Sequence, residues 1–360
     1  MTEQEAYIAF NMTEKVGSVK LASLTASAGS AAAAWERFPS KISRCGGDVD
    51  WRGELERARA YGVQIVTPVD PEYPAALKSA KGHPLALYVK GDVSALSTPT
   101  VAMVGTRKAS AYGLEQAEKF AYDLAYSGWT VVSGLALGID AASHRGALKA
   151  GGVTVGVIGS AIDEFYPSEN RDLALEIVDK GGAVVSQFPF GKQPDQQTFP
   201  IRNFTVAALS KGVIAVEAPI RSGTLITASD AADLGRTVMA VPSRVDSRSG
   251  AGCLRLIRDG AVLVRNARDV EEALSELMPG HKVPAERADE NAVAPVPVPD
   301  RPAYTVEEAM VMRHVDADGV SIDRLTLKSG LSPAKVNSLV MTLRLKGRLK
   351  FLPGNRVASL

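Results

Sequence analysis

The sequence predicts an α/β protein: a doubly wound parallel sheet, preceded by a helical region and followed by a winged helix. Three observations carry this. From about Pro84 onward, short apolar runs alternate with amphipathic stretches, and strands apolar throughout that alternate with helices imply a parallel sheet covered on both faces. Those runs end in loops rich in Gly, Ser and Thr. A Pro-rich stretch then sets off a short basic segment with a helix–turn–helix pattern of its own.

At roughly 100–200 residues per domain, two or three domains are expected in 360 residues. Residues 1–75 are Ala- and Ser-rich and mostly helical in pattern. In the core, 76–278, the apolar runs are Thr100–Val104, Thr130–Val132, Val153–Ile158, Ala183–Ser186, Val213–Val216 and Thr237–Val241. Helical spacing falls at Gly113–Tyr126, Ile139–Lys149, Leu173–Lys180, Asn203–Leu209 and Leu225–Leu234. Residues 279–303 hold six prolines and no aromatic residue, which reads as an extended linker. In 304–360, Ser321 caps a helix over Ile322–Ser329, Gly330 makes the turn, and Ser332-Pro333 opens a second helix. Gly347 ends that helix, and Arg348–Leu352, Pro353-Gly354-Asn355 and Arg356–Ala358 complete a hairpin.

Bulk composition identifies no partner. Hydrophobic residues make up 46%, charged residues 22%, and the net charge is +1, an ordinary soluble balance. Two cysteines and four scattered histidines supply no disulfide framework and no metal-ligand spacing. There is no leader-like N-terminus and no apolar run of about 18 residues, so the expectation is a cytoplasmic protein without membrane association.

In an open parallel sheet, ligands sit outside the carboxyl ends of the strands. Gly105-Thr106-Arg107 with Ser110 offers close backbone approach, hydroxyls and a phosphate fork at a helix N-terminus. Ser133-Gly134 through Gly138 reads as an anion nest. Asp140 reads as a cap of the following helix, with His144 one turn on as its structural partner. Gly159-Ser160 runs on into Tyr166-Pro167-Ser168-Glu169-Asn170. Arg202-Asn203 precedes a helix, and Arg221-Ser222-Gly223-Thr224 follows a strand. In the winged helix, Lys335, Arg344, Lys346, Arg348 and Lys350 form a basic face with no acidic residue after Asp323. That face suits either a phosphate backbone or a protein partner.

Several chemistries are excluded. Gly191-Lys192 is followed by Gln193, so there is no P-loop, and no G-x-G-x-x-G opens the first βα unit. No G-x-S-x-G elbow and no paired Asp motif occur. Loops suited to a ligand without catalytic machinery point to binding: no catalytic residue, no metal and no cofactor are expected.

GTRKASAYG at 105–113, VSGLALGID at 132–140 with His144, YPSEN at 166–170, FPIRN at 199–203, VEAPIRSGTLITASDA at 216–231, GRTVMAVP at 235–242 and LIRDGA at 256–261 occur in this order. The set, followed by the winged helix, resembles the DNA-processing protein A (DprA, or Smf) family over 84–278 and the last domain, and only weakly over 1–75. The resemblance implies a Rossmann-like core after a SAM-like helical region. It also implies single-stranded DNA as ligand, protection of incoming DNA in natural transformation, loading of the RecA recombinase, and a homodimer, all without catalysis. It places Arg107 in a basic DNA pocket. Family members carry a basic residue where Ser168 stands, Glu at Gln187, a second Arg at Phe204 and Gly at Ser243. Fewer cations weaken phosphate binding unless Arg171, Arg221 or Arg244 compensates. Two other readings remain: a phosphoribohydrolase-like enzyme using Glu217 or Asp140, and a degenerate ligand-sensing adaptor.

Overall fold

In β3 (Thr100–Gly105) alternate side chains enter opposite cores, Val101 and Met103 on one face, Ala102 and Val104 on the other. The same double burial holds for the neighbouring strands, which is why the runs lack polar alternation. The computed structural model describes residues 1–38, 49–275, 304–315, 319–346, 348–352 and 356–359, and the chain divides into units 1–285 and 286–360.

The first unit opens with helices α1 (Glu3–Asn11), α2 (Ser18–Ala28), α3 (Ala31–Arg37) and α4 (Trp51–Tyr61). Phe10, Leu21, Leu24 and Ala34 form a small core of their own. Thr2 and Glu5 close a capping box on α1. Strand β1 (Gln64–Val66) and the short α5 (Ala75–Lys78) precede β2 (Leu87–Gly91) and β3. Next come α6 (Ala111–Tyr126), β4 (Thr130–Ser133), α7 (Ile139–Lys149), β5 (Thr154–Val157), α8 (Arg171–Asp179) and β6 (Ala183–Ser186). The unit ends with α9 (Thr198–Leu209), β7 (Gly212–Glu217), α10 (Gly223–Asp233), β8 (Thr237–Ala240), α11 (Ala251–Arg258), β9 (Val262–Leu263) and α12 (Ala267–Leu274).

The sheet order is β1-β2-β6-β5-β4-β3-β7-β8-β9. From β6 to β9 neighbours are parallel, while β2 runs antiparallel to β6 and β1 to β2. The doubly wound sheet is as the sequence predicts, with two differences. Residues 64–66, inside the stretch read as helical, are a sheet strand, and β2 and β9 join as further strands. β1 and β9 are three and two residues long, too short to declare a period. The chain winds outward from β3 through β4 and β5 to β6, then returns to β7 on the far side of β3. Gly105, Ser133, Val157 and Glu217 therefore end on one edge, at a topological switch point.

The second unit holds α13 (Val306–Met312), β10 (Val320–Ser321), α14 (Ile322–Ser329), α15 (Pro333–Leu345), β11 (Leu349–Leu352) and β12 (Arg356–Ser359). Its antiparallel sheet, β10-β12-β11, covers a core of Val311, Leu325, Val336, Leu343 and Val357. The Ser321 hydroxyl accepts from the Arg324 N–H at 3.3 Å, as expected of a cap. Ser332 occupies the cap position of α15 but makes no side-chain cap bond. Gly347, 353–355 and the whole Pro-rich stretch at 279–303 lie outside the described residues.

Candidate functional site

The loop after β3 leaves Arg107 exposed, as the sequence predicts, but turns its two hydroxyls onto the chain's own backbone. Ser110 caps α6, its hydroxyl accepting from the Gly113 N–H at 3.0 Å. The Thr106 hydroxyl accepts from the Lys108 N–H at 3.2 Å. Arg107 is exposed, its guanidinium carbon 4.9 Å from the Phe199 ring centroid, a cation–π distance. The backbone N–H of Ser110 donates to Glu217 Oε2 at 2.8 Å, and the Ser249 hydroxyl donates to Glu217 Oε1. The positive N-terminus of α6 is thus already matched by a carboxylate of the chain itself.

The loop after β4 departs from the anion-nest expectation. The Ser133 hydroxyl is buried and donates to the Met103 carbonyl at 2.6 Å. The Gly134 N–H donates to Asp140 Oδ2 at 3.1 Å, so the nest is filled by an internal anion. Asp140 is not the cap of α7; Gly138 holds that position without a side-chain bond. Gly138 has φ +79°, and a Cβ there would strike the Thr106 carbonyl oxygen, so the first two loops meet where only glycine fits.

Arg202 is likewise corrected. It is buried and donates Nη1 to the carbonyls of Gly134 and, at 2.9 Å, Val157. It clamps the ends of β4 and β5 rather than standing free for a phosphate. Burial pushes the Asp140 carboxyl up against the opposing pull of Arg202, and burial pushes Arg202 down against the pull of Asp140. Nor does His144 pair with Asp140. Its Nδ1 lies 2.7 Å from Thr154 Oγ1, whose own hydrogen goes to the Val131 carbonyl at 2.6 Å; this assigns the ring proton to Nδ1. Burial, then the charges of Arg202 and Arg145, push His144 down to about 3.

Arg107, Gly134, Gly159, Tyr166, Phe199 and Arg202 line a cleft on this edge, together with Ala136, Leu137 and Pro167. Phe199 is its centre: Arg202 lies 6.0 Å from the ring centroid, and the exposed Tyr166 ring 6.0 Å away at 59°. Sequence reasoning named these loops for their polar residues and missed the two rings; an aromatic residue before proline in both Tyr166-Pro167 and Phe199-Pro200 was the available signal.

The remaining predicted residues do not line the cleft. Arg221 and Gly223 are exposed, Thr224 is buried, and the Ser222 hydroxyl at the head of α10 is buried with no hydrogen-bond partner among the described residues. The Asn203 amide lies beside Gly223. Arg171 is exposed at the first position of α8, and Arg244 pairs with Asp246 at 2.9 Å. Glu217 and Asp140, the two hydrolase candidates, are both buried and outside the cleft lining. Of the departures, Ser168 is exposed next to Pro167, its hydroxyl donating to Glu169 at 3.2 Å. Phe204 packs against the core and the Gln187 amide oxygen accepts from Thr205.

The basic face of the winged helix is partly neutralised. Lys335 pairs with Glu307 at 2.9 Å and Lys346 with Glu308 at 2.6 Å. Both acids lie on α13, ahead of the basic segment in sequence. Arg344 and Arg348 sit 4.9 Å from the rings of Phe351 and Tyr304, and Lys350 is exposed.

Comparison with known proteins settles the lineage. The family model described as DNA recombination-mediator protein A matches residues 64–275, and the DprA winged helix domain matches 294–355. The chain belongs to the DprA family. Protein Smf of Escherichia coli (strain K12) is 35% identical over 292 residues, covering 81% of this chain and 76% of that protein. The structure of DprA from Streptococcus pneumoniae aligns with a TM-score of 0.63 at 31% identity, covering 76% of this chain and 98% of that one. DprA from Helicobacter pylori, whose structure concerns its single-stranded DNA binding mode, aligns with a TM-score of 0.53 at 29% identity, covering 59% and 96%. Among the described residues, no helix is long and apolar enough to cross a membrane.

Proposed function

We propose that this DprA family member binds single-stranded DNA at the cleft on the carboxyl edge of its sheet, as a mediator of recombination without catalysis. In this reading it protects incoming DNA in natural transformation and delivers it to the RecA recombinase, acting as a cytoplasmic homodimer. The observation that carries the reading is Arg107, exposed and 4.9 Å from the Phe199 ring centroid, beside the exposed ring of Tyr166. A guanidinium takes a phosphate, and an exposed ring such as that of Tyr166 takes an unstacked base of the kind a single strand offers. The Helicobacter pylori relative supports this choice of ligand. Glu217 and Asp140, the two carboxylates the hydrolase alternative could use, are both buried, hydrogen-bonded within the fold and outside the cleft lining.

The test is fluorescence anisotropy of a labelled single-stranded oligonucleotide and its duplex across a salt series. The single strand is expected to bind more tightly and with strong salt dependence, and Arg107→Ala to weaken it about tenfold or more, the worth of one charge-assisted contact. Equal affinity for both forms, or no effect of the substitution, sinks the reading.

A further inference from the structure

The winged helix presents a surface that the DNA-binding proposal does not use. The outer face of α15 carries Asn337, Ser338, Met341 and Arg344, all exposed and at the spacing that places them on one side of a helix. Met341 is 55% exposed, a large apolar side chain on the outer face of the helix. Arg344 leads from it onto Phe351 of β11, which is 36% exposed. Met, Arg and aromatic side chains are enriched at protein interfaces, whereas lysine is depleted there.

The lysines argue the same way. Lys346 is held by Glu308, whose side chain is 3% exposed and whose other oxygen accepts the Thr305 N–H of the α13 capping box. Drawing Lys346 to a phosphate would strand that buried carboxylate, an unfavourable exchange. Lys335 is matched by Glu307. What remains for a partner on the α15 and β11 face is the guanidinium of Arg344, 4.9 Å from the Phe351 ring centroid, and the exposed Lys350. An arginine stacked on a ring keeps its edge donors for a bidentate carboxylate.

We propose that the α15 face and β11 form a docking surface for an acidic protein segment, one that seats an apolar side chain on Met341 and a carboxylate on Arg344. Charge complementarity selects this occupant: the surface is apolar at Met341, cationic at Arg344 and Lys350, and already neutralised at Lys335 and Lys346.

The test uses the full chain and two labelled synthetic helical peptides, one with leucines along one face flanked by glutamates, the other with glutamine in place of every glutamate. The glutamate peptide is expected to bind roughly tenfold more tightly than its counterpart, and Arg344→Ala or Met341→Asp to remove most of that difference. Both substituted side chains are exposed, so the variants retain the fold; the single-stranded oligonucleotide affinity should stay within about twofold in both. Equal binding of the two peptides overturns the proposal. So does an equal loss of oligonucleotide binding in Arg344→Ala, which would make the surface a nucleic-acid contact. Arg107→Ala separates the two sites, since it should weaken the oligonucleotide and leave the peptide unchanged.

Discussion

The carboxyl edge of the sheet and the winged helix both carry cations that read alike in sequence, and the fold disposes of them in opposite ways. At the sheet edge they are sorted by depth. Arg107 is exposed over Phe199, while Arg202 is buried against the carbonyls of Gly134 and Val157. In the winged helix they are sorted by pairing, with Lys335 and Lys346 matched to acids on α13 while remaining at the surface. A cation is available to a ligand only when neither depth nor an acid from another element has claimed it.

The largest way to break this comparison is to remove a buried charge. Arg202→Ala removes the positive charge that opposes the burial of Asp140 and leaves two strand-end carbonyls without their donor. A loss of about 3–5 kcal/mol of stability is expected in urea unfolding. A loss no larger than the ~0–1 kcal/mol of an exposed pair would show that Arg202 is not a structural clamp.

A second test uses pH. His144 is held at about 3, below its ordinary 6.5, so the unfolded chain takes up a proton that the folded chain refuses. Its contribution is present above pH 6.5 and lost as pH falls toward 3, at up to about 1.4 kcal/mol per unit. Between pH 7 and 5 the wild type should lose about 2 kcal/mol more than His144→Gln; parallel profiles would refute the assignment.

A third sharpens the sheet edge by adding a cation. Ser168→Lys, beside the Pro167 of the cleft, should raise single-strand affinity a few-fold and steepen the log–log salt slope by roughly 0.7. An unchanged slope would mean that this rim does not meet the DNA backbone. The smallest effect is expected in the winged helix, where Lys335→Ala removes an exposed pair and should change stability by less than about 0.5 kcal/mol. A larger change in a melting experiment would show that the pair is structural.

Legibility followed the range of the signal. Ile139–Lys149 and Ile322–Ser329 are helices with the bounds the periodicity predicts, and six apolar runs became six parallel strands, because each pattern is local. Gly105, Arg107, Ser110 and Gly134 were placed on the correct edge for the same reason. The roles of Ser133, Asp140, His144 and Arg202 were not legible, because their partners lie at Met103, Gly134, Thr154 and Val157. For Arg202, a partner 68 residues away in sequence decides whether the side chain faces solvent or the core. Glu307 and Glu308 precede the basic segment in sequence and meet its lysines only across the fold.

The carboxylate of Asp140 in the Gly134 nest has a consequence for how this sequence can change. A neutral residue at 140 vacates the nest and leaves Arg202 with an uncompensated buried charge; a neutral residue at 202 does the reverse. Each single step descends into a fitness valley that the paired change would cross. Positions 134, 140 and 202 should therefore behave as one unit in any mutational library of this protein. Double replacements at 140 and 202 should be tolerated more often than the product of the two single replacements predicts.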